Sequence, residues 1–559
     1  MRASPPAEFR ARAYGAMSIF TLYVVLGPSW SMVSASDGDL DLAFGAGGHV
    51  INQVPGDVVV TAGVVIQPDG KIVSAATVAD NHDDMIVLTR NNQDGSLDSG
   101  FGSGGTVTTL ITGDDFARAI ALQSDGKIVV AGDISADFGQ PSFVLLRYNS
   151  DGSLDTGFGT GGQVTTRVGR VNYSARAVCI QPDGKILAAG FSTGATLTAG
   201  SIGSDFALVR YSPDGGLDSS FGTAGIVTTS FPGSMFEGAD LDSIDTIAIQ
   251  PDGKVLAAGE VVNGPAQSID SVLIRYGQDG SIDTAFGDGG KVVSRTGTLN
   301  YPKGIVVQSD LKIVVGGQSW TGSPRIPQFL IARYNPDGSV DASFGADGNT
   351  ITGLGLAGDQ IGDKAFALAP QSDGKIVEVG SAGLPVSTFA VARFNRDGHL
   401  DPAFGTRGIS TVGFPGQAAT AAAVAIQKDG KIVTAGAVQF TQQQRVLALA
   451  RFESTSAKAD FAILPDPQQV DVTRGTKVPI TINISRNGAF QGAVQISPPD
   501  TTGTGIKVKP PSPVTTNGNS VTYKLKITGA AAPGAVDLSF AGTDASGGAS
   551  SSTVRVVVH

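Results

Sequence analysis

Short apolar runs broken by glycine-centred turns occupy most of the chain, and they come in a fixed order. Residues 119–123 (Ala-Ile-Ala-Leu-Gln) form one run. A Ser-Asp-Gly turn, whose glycine tolerates positive φ, joins it to a second run at Lys127–Gly132. A third run, Phe143–Asn149, is followed by the turn Asp151-Gly152 and then by a fourth run at Gln163–Thr166. Runs this short, bounded by Gly, Asp and Asn and rich in β-branched and aromatic residues, predict four β-strands per unit.

The unit repeats. A Leu-Asp-x-x-Phe-Gly motif, with Ile or Val replacing Leu in two copies, places Phe at 44, 101, 158, 221, 286, 344 and 404. A Gln-x-Asp-Gly-Lys motif places Lys at 71, 127, 185, 254, 312, 375 and 431. Self-similarity at a period of about sixty residues over Asp39 to Phe452 marks a repeat architecture. Small sheets bury their faces by packing on one another around a ring, so the expected fold is all-β: a closed seven-bladed β-propeller. The array starts with a fourth-strand motif, Leu40–Gly45, and ends with a third-strand run, Val446–Phe452. The N-terminal segment is therefore expected to supply the outer strand of the last blade and cover its open edge. One Arg–Asp pair per blade is expected, Arg147 with Asp155 and, across the closure, Arg451 with Asp41. In the fifth copy Leu311 stands where the turn glycine should be, which predicts a change of turn type there.

The spacings differ in kind. From turn Gln to Lys the distance is always 4, and from third-strand Arg to the next Phe it is 11 in all six cases. From that Phe to the next turn Gln it varies from 22 to 29, and from the Gly132 position to the third-strand Arg from 13 to 20. Alternate connections of a four-stranded meander lie at the same end, so the length variation falls on one face of the disc, where binding loops belong. The two motifs resemble those of the bacterial delta-60 repeat family over Asp39 to Phe452; this implies a propeller-like exported protein and no particular reaction.

Past the repeats the pattern changes. Residues 454–459 read as a linker. Residues 460–559 carry seven short alternating segments, Phe461–Ile463, Gln469–Val472, Val478–Ile484, Ala493–Ser497, Ser520–Ile527, Val536–Gly542 and Ser552–Val558. They predict an Ig-like β-sandwich, similar to modules appended to bacterial surface proteins. At the other end, Arg2, Arg10 and Arg12 precede an apolar stretch from Tyr14 to about Leu26, and Val33 and Ala35 form a small-residue cleavage pattern. Residues 1–35 are accordingly expected to be a signal peptide, residues 36–453 the propeller, and the product secreted or held at the cell surface with no membrane span once the signal is removed.

Composition narrows the chemistry. With a net charge of −11 and no clustered Lys and Arg, nucleic acid is not an expected partner. Cys179, the only cysteine, stands where other copies carry Ala, Val or Leu and reads as a small core residue. The four histidines are isolated, and no P-loop or Gly-x-Ser-x-Gly elbow occurs, so neither cofactor nor metal is expected. The repeated Asp-Gly-Ser-Leu-Asp lacks the distal Glu of a calcium loop and reads as turn structure. Five residues before each turn Gln, at the expected channel mouth, stand Ala62, Arg118, Arg176, Asp245, Lys303, Phe366 and Ala422. Three cations there suit an anionic ligand such as an acidic sugar; the other reading is solvated loop charges. Trp320 and Arg325 in the fifth copy are candidates either to stack on a sugar or to cap the blade, while Glu237, Asp240, Asp242, Asp359 and Asp363 read as loop charges. The expected function is a binding scaffold that contacts a glycan or extracellular protein through Arg118, Arg176, Asp245, Lys303 and Trp320. The alternative is a propeller enzyme of lactonase or polysaccharide-lyase type at the channel mouth.

Overall fold

The structure, a computed structural model, describes residues 36–559 apart from segments 81–82, 112–113, 136–141, 170–172, 194–203, 232–241, 264–267, 295–298, 322–325, 355–362, 384–385, 416, 442–443, 455–460, 468, 487–492, 500, 502–503 and 545–548. The signal-peptide expectation for residues 1–35 lies outside the described residues, as do Arg325, Glu237, Asp240 and Asp359. Among the described residues there are strands and no helix, hence none long and apolar enough to cross a membrane.

From His49 to Phe452 the described strands form seven four-stranded antiparallel sheets. In sheet two the strands are Asp114–Leu122, Ile128–Ser135, Ser142–Tyr148 and Gln163–Thr166, paired in that order. The expected runs thus stand, with the first strand longer at its N-terminal end. The middle strands are buried on both faces: every residue of Ser142–Tyr148 is buried. That explains their continuous apolar runs, because each sheet packs on the next. Val129, Phe143 and Leu145 of sheet two share an apolar cluster with Ala175, Ala188 and Val209 of sheet three.

Sheet seven contains Ala418–Ile426, Ile432–Gln439 and Arg445–Phe452, and its outer strand is the N-terminal His49–Asn52, with His49 opposite Ala450 and Asn52 opposite Leu447. Asp37-Gly38 also takes the place of the turn that precedes the outer strand in the other sheets. The Asp37 carbonyl accepts from Gly405 N–H at 2.8 Å, as the Asp94 carbonyl accepts from Gly45 N–H at 2.7 Å. Sheet one then packs on sheet seven, with Val64 and Ile72 clustered with Ala423, Val433 and Leu449.

Each sheet carries the same polar brace on its fixed-spacing face. In sheet two, Arg147 Nε donates to Asp155 Oδ2 at 2.7 Å and Lys127 Nζ donates to the same oxygen at 2.9 Å. The guanidinium lies 4.4 Å from the Phe158 ring centre, and Nη1 reaches the Pro213 carbonyl of sheet three. In sheet seven the brace crosses the seam: Arg451 Nε donates to Asp41 Oδ2 at 2.7 Å and Lys431 Nζ at 2.6 Å. The repeated motifs are therefore scaffold, joining strand three to strand four and each sheet to its successor. Asp151 Oδ1 accepts from Ser153 N–H at 2.9 Å and from its hydroxyl at 2.7 Å, an Asx-type turn.

The fifth copy departs from expectation. Leu311 adopts φ 65° and keeps the bond pattern of the glycine turns, Leu311 N–H to Gln308 O at 2.9 Å. The turn type is unchanged because neighbouring strand pairing over-determines it, and Leu311 carries the strain.

The C-terminal residues form two further sheets, one of Phe461–Asp466, Lys477–Arg486, Ser520–Ile527 and Ile506–Lys509, the other of Gln469–Val472, Ala549–Val558, Gly534–Asp544, Val494–Ser497 and Val514–Thr516. Ile506–Lys509 and Val514–Thr516 are additional to the expected seven strands. Both sheets contribute to one apolar core that contains Ile482, Tyr523, Leu525, Phe540 and Val556.

Candidate functional site

Every sheet's first strand is irregular at one shared place. The pairing of first and second strands skips a residue between Thr61 and Gly63, Ala117 and Ala119, Ala175 and Ala177, Ile244 and Thr246, Pro302 and Gly304, Ala365 and Ala367, and Ala421 and Ala423. The skipped residues are Ala62, Arg118, Arg176, Asp245, Lys303, Phe366 and Ala422. A β-bulge turns one side chain out of the alternation. Here it aims them all inward, and all seven line one central cavity of ≈ 1170 Å³.

A glycine makes the bulge possible. In sheet three a Cβ on Gly190 would sit 1.8 Å from the Ser174 carbonyl oxygen, inside any allowed contact. The bulge pushes that carbonyl toward the second strand, and only a residue without a side chain leaves room for it. Sheet one has Ala76 at this position, and its first strand carries a second register shift between Val58 and Val60.

The cavity wall is divided. Sheets two to five present Arg118, Arg176, Asp245 and Lys303; sheets six, seven and one present Phe366, Ala422 and Ala62, backed by Ala367, Val424 and Val60. On the charged arc the cations are paired. Arg118 Nε donates to Asp133 Oδ1 at 3.0 Å, and Ser174 of the next sheet donates to the same oxygen at 2.6 Å. Arg176 Nη1 donates to Asp245 Oδ1 at 2.7 Å and to Ser243 Oγ at 2.8 Å. Lys303 Nζ lies 2.8 Å from Asp245 Oδ2 and 3.4 Å from Glu260 Oε1. Each cation also sits over an aromatic ring: Arg118 over Phe116 at 4.7 Å, Arg176 over Phe191 at 5.1 Å and Lys303 over Tyr301 at 5.9 Å.

Burial alone would raise the Asp245 carboxyl, but Lys303 and Arg176 on either side outweigh it and hold Asp245 below the usual carboxylate range. Glu260 goes the other way. Its burial, then the Asp245 charge, push it up to about 7. Burial disfavours the Lys303 ammonium, yet Asp245 and Glu260 together raise it. At neutral pH the arc therefore holds three cations, two carboxylates and one carboxyl near its midpoint.

The sequence-derived residues Arg118, Arg176, Asp245 and Lys303 are thus brought together. Trp320 is not part of the cavity wall. It stands near the loop-bearing end of the second strand of sheet five, Ile313–Thr321, edge-on to Tyr301 with centroids 6.3 Å apart. Asp133 and Glu260 were missed. Each follows the second-strand glycine of its sheet, Gly132 and Gly259, and so pairs with the residue two before the bulged one, Phe116 and Ser243; that adjacency was the available signal. Asp242 and Asp363, read as loop charges, are buried, and Asp363 accepts from Leu354 N–H at 2.5 Å. Neither faces solvent, and Asp363 ties down its connection. Cys179 packs beside the cluster between sheets three and four, and burial pushes its thiol up to about 12. Among the described residues no group of three or more His, Cys, Asp or Glu is placed to hold a metal ion.

Residues 123–158, 181–221, 250–286, 308–344, 371–404 and 427–457 match the family described as a domain of unknown function (DUF5122) β-propeller. No curated protein matches the chain. Among solved structures, the polysaccharide lyase Uly1 is 13% identical, with 76% of this chain and 94% of that one covered at a TM-score of 0.42. A GH43_12 protein retrieved from capybara gut metagenome is 10% identical, with 93% and 98% covered at a TM-score of 0.28. Domains 4 and 5 of the S-layer protein SbsC are 12% identical, with 37% and 95% covered at a TM-score of 0.13. At such scores these three likenesses carry no functional weight. The repeat matches and the succession of four-stranded sheets agree: the chain is a β-propeller repeat protein.

Proposed function

We propose that the chain is an exported binding protein that receives a glycan or protein ligand through its variable-loop face. In this reading residues 1–35 are a signal peptide and residues 36–453 are a closed seven-bladed propeller. A linker at 454–459 leads to an Ig-like spacer at 460–559. One observation carries the binding role: seven bulged side chains, one from each sheet, line a single cavity with a charged arc facing an apolar arc. Such a wall suits a ligand with polar groups on one side and an apolar face on the other, as a sugar ring has. Trp320, at the loop-bearing end of sheet five, offers an outer stacking surface. A glycan array probed with the full chain and with Arg118→Gln and Arg176→Gln tests it. Hits that weaken in both variants support the reading, and binding indifferent to both removes the cavity as the site.

A second reading, a lactonase- or polysaccharide-lyase-type enzyme, draws on the Asp245–Glu260 pair, a carboxylate beside a carboxyl that titrates near neutrality. Metal analysis of the purified protein separates the two: a stoichiometric, tightly held transition metal favours the enzyme.

A further inference from the structure

We propose that the ligand of the central cavity carries a carboxylate on a polyhydroxylated ring, a uronate unit, bound by the guanidinium groups of Arg118 and Arg176. This rests on the binding reading above.

The two arginines are only partly engaged. Arg118 uses Nε alone, on Asp133, and Arg176 uses Nη1 alone, on Asp245 and Ser243. Among the described residues their other N–H groups have no acceptor, and both side chains line the cavity. They are also its more exposed cations, at 32% and 39%, against 25% for Lys303. Asp133 and Asp245 fix the two forks without occupying them. Planar pairs of N–H groups fit a carboxylate in a bidentate manner, and the partial desolvation of the wall strengthens such bonds.

Charge balance sets the ligand's valence. Arg118, Arg176 and Lys303 face Asp133, Asp245 and Glu260. With Glu260 protonated the arc has an excess of one positive charge, which a single carboxylate cancels; a doubly charged group would leave an excess negative charge. The opposite arc of Phe366, Ala422 and Ala62 supplies an apolar surface for the C–H face of a ring. The cavity, at ≈ 1170 Å³, exceeds the roughly 300–1,000 Å³ of ordinary small-molecule sites, so it admits more than one ring.

Glu260 adds a readout. The charged groups facing it are Asp245 on its own sheet, Arg176 on sheet three and Lys303 on sheet five. Deprotonation removes the excess positive charge, so anion affinity falls as pH rises through about 7.

The test is calorimetric titration of the full chain with a disaccharide of one galacturonate and one neutral sugar, and with its uncharged methyl ester. The singly charged acid is expected to bind about ten- to hundredfold more tightly than the ester, with Arg118→Gln losing a similar factor. Affinity should fall severalfold between about pH 6 and about pH 8, and Glu260→Gln should flatten that profile while retaining the low-pH affinity. Arg118→Gln breaks a pair whose carboxylate keeps the Ser174 hydroxyl as a partner, and a thermal melt run alongside checks that it folds. Equal binding of acid and ester overturns the carboxylate inference and leaves the binding reading standing. Inorganic sulfate competing as well as the uronate also overturns it. Array-wide absence of any ligand, neutral or acidic, removes the binding reading itself.

Discussion

Phe44→Ala strikes the seam between the two ends of the array. Phe44 is fully buried, clusters with Val64 and Ile72 of sheet one and Val433 and Leu449 of sheet seven, and carries Arg451 at 4.5 Å over its ring. A phenylalanine buries about 150–250 Å². At about 25 cal/mol/Å² that amounts to about 4–6 kcal/mol as an upper bound, and truncations of this type cost about 3–5 kcal/mol. Phe158 is the matched control: it is equally buried, with Arg147 at 4.4 Å, but lies within the continuous chain. Both alanine variants should lower stability by about 3–5 kcal/mol in urea unfolding. Only Phe44→Ala should speed amide exchange in His49–Asn52 and its partner Arg445–Phe452. A loss below about 1 kcal/mol for Phe44→Ala, with the full loss for Phe158→Ala, would refute the N-terminal segment as an integral strand of sheet seven.

Three further outcomes follow from the same geometry. Gly190→Ala forces a Cβ against the Ser174 carbonyl, so it should destabilise by about 1–3 kcal/mol in a thermal melt and displace Arg176 with the bulge. Leu311→Gly relieves a left-handed residue worth about 1–2 kcal/mol, less the added freedom of the unfolded glycine, for a net gain of about 0.5–1 kcal/mol by urea unfolding. Lys71, then Arg90, hold the Asp98 carboxyl at about 2 against burial, below its ordinary 3.8. A depressed folded pKa means stability is present above the unfolded value and lost as pH falls from 3.8 through about 2, so near-UV circular dichroism should show acid unfolding in that window, shifted upward by Lys71→Met.

The architecture was legible because it is written seven times. Two fixed spacings named the turns of one face, and a fourth-strand motif at Leu40–Gly45 before any third strand pointed to a shared last sheet. The positions of the cavity residues were legible by the same alignment. Their mechanism was not. Alternation along Phe116–Leu122 gives no hint that Arg118 is an extra residue, because a bulge depends on the neighbouring strand: on Gly132, which leaves room for the Phe116 carbonyl. Missing the bulge hid the partners across it, so Arg118, Arg176 and Lys303 read only as three cations at the mouth, when Asp133, Asp245 and Glu260 hold them. Asp242 and Asp363 read as loop charges because connections of variable length suggest exposure, whereas each immediately precedes a strand and is buried there. Leu311 shows the converse limit: a local preference against positive φ yielded to the pairing of the strands on either side.

The most direct test of the central cavity as the binding site is Ala422→Trp. Ala422 is the bulged residue of sheet seven, on the apolar arc and away from every ion pair of the charged one, so its indole would cover part of the apolar arc and narrow the cavity while leaving those pairs intact. The account predicts a variant with an unchanged melting temperature that captures more weakly the ligands the unaltered chain captures on a glycan array. A folded Ala422→Trp protein that captures the same ligands with the same affinity would contradict it.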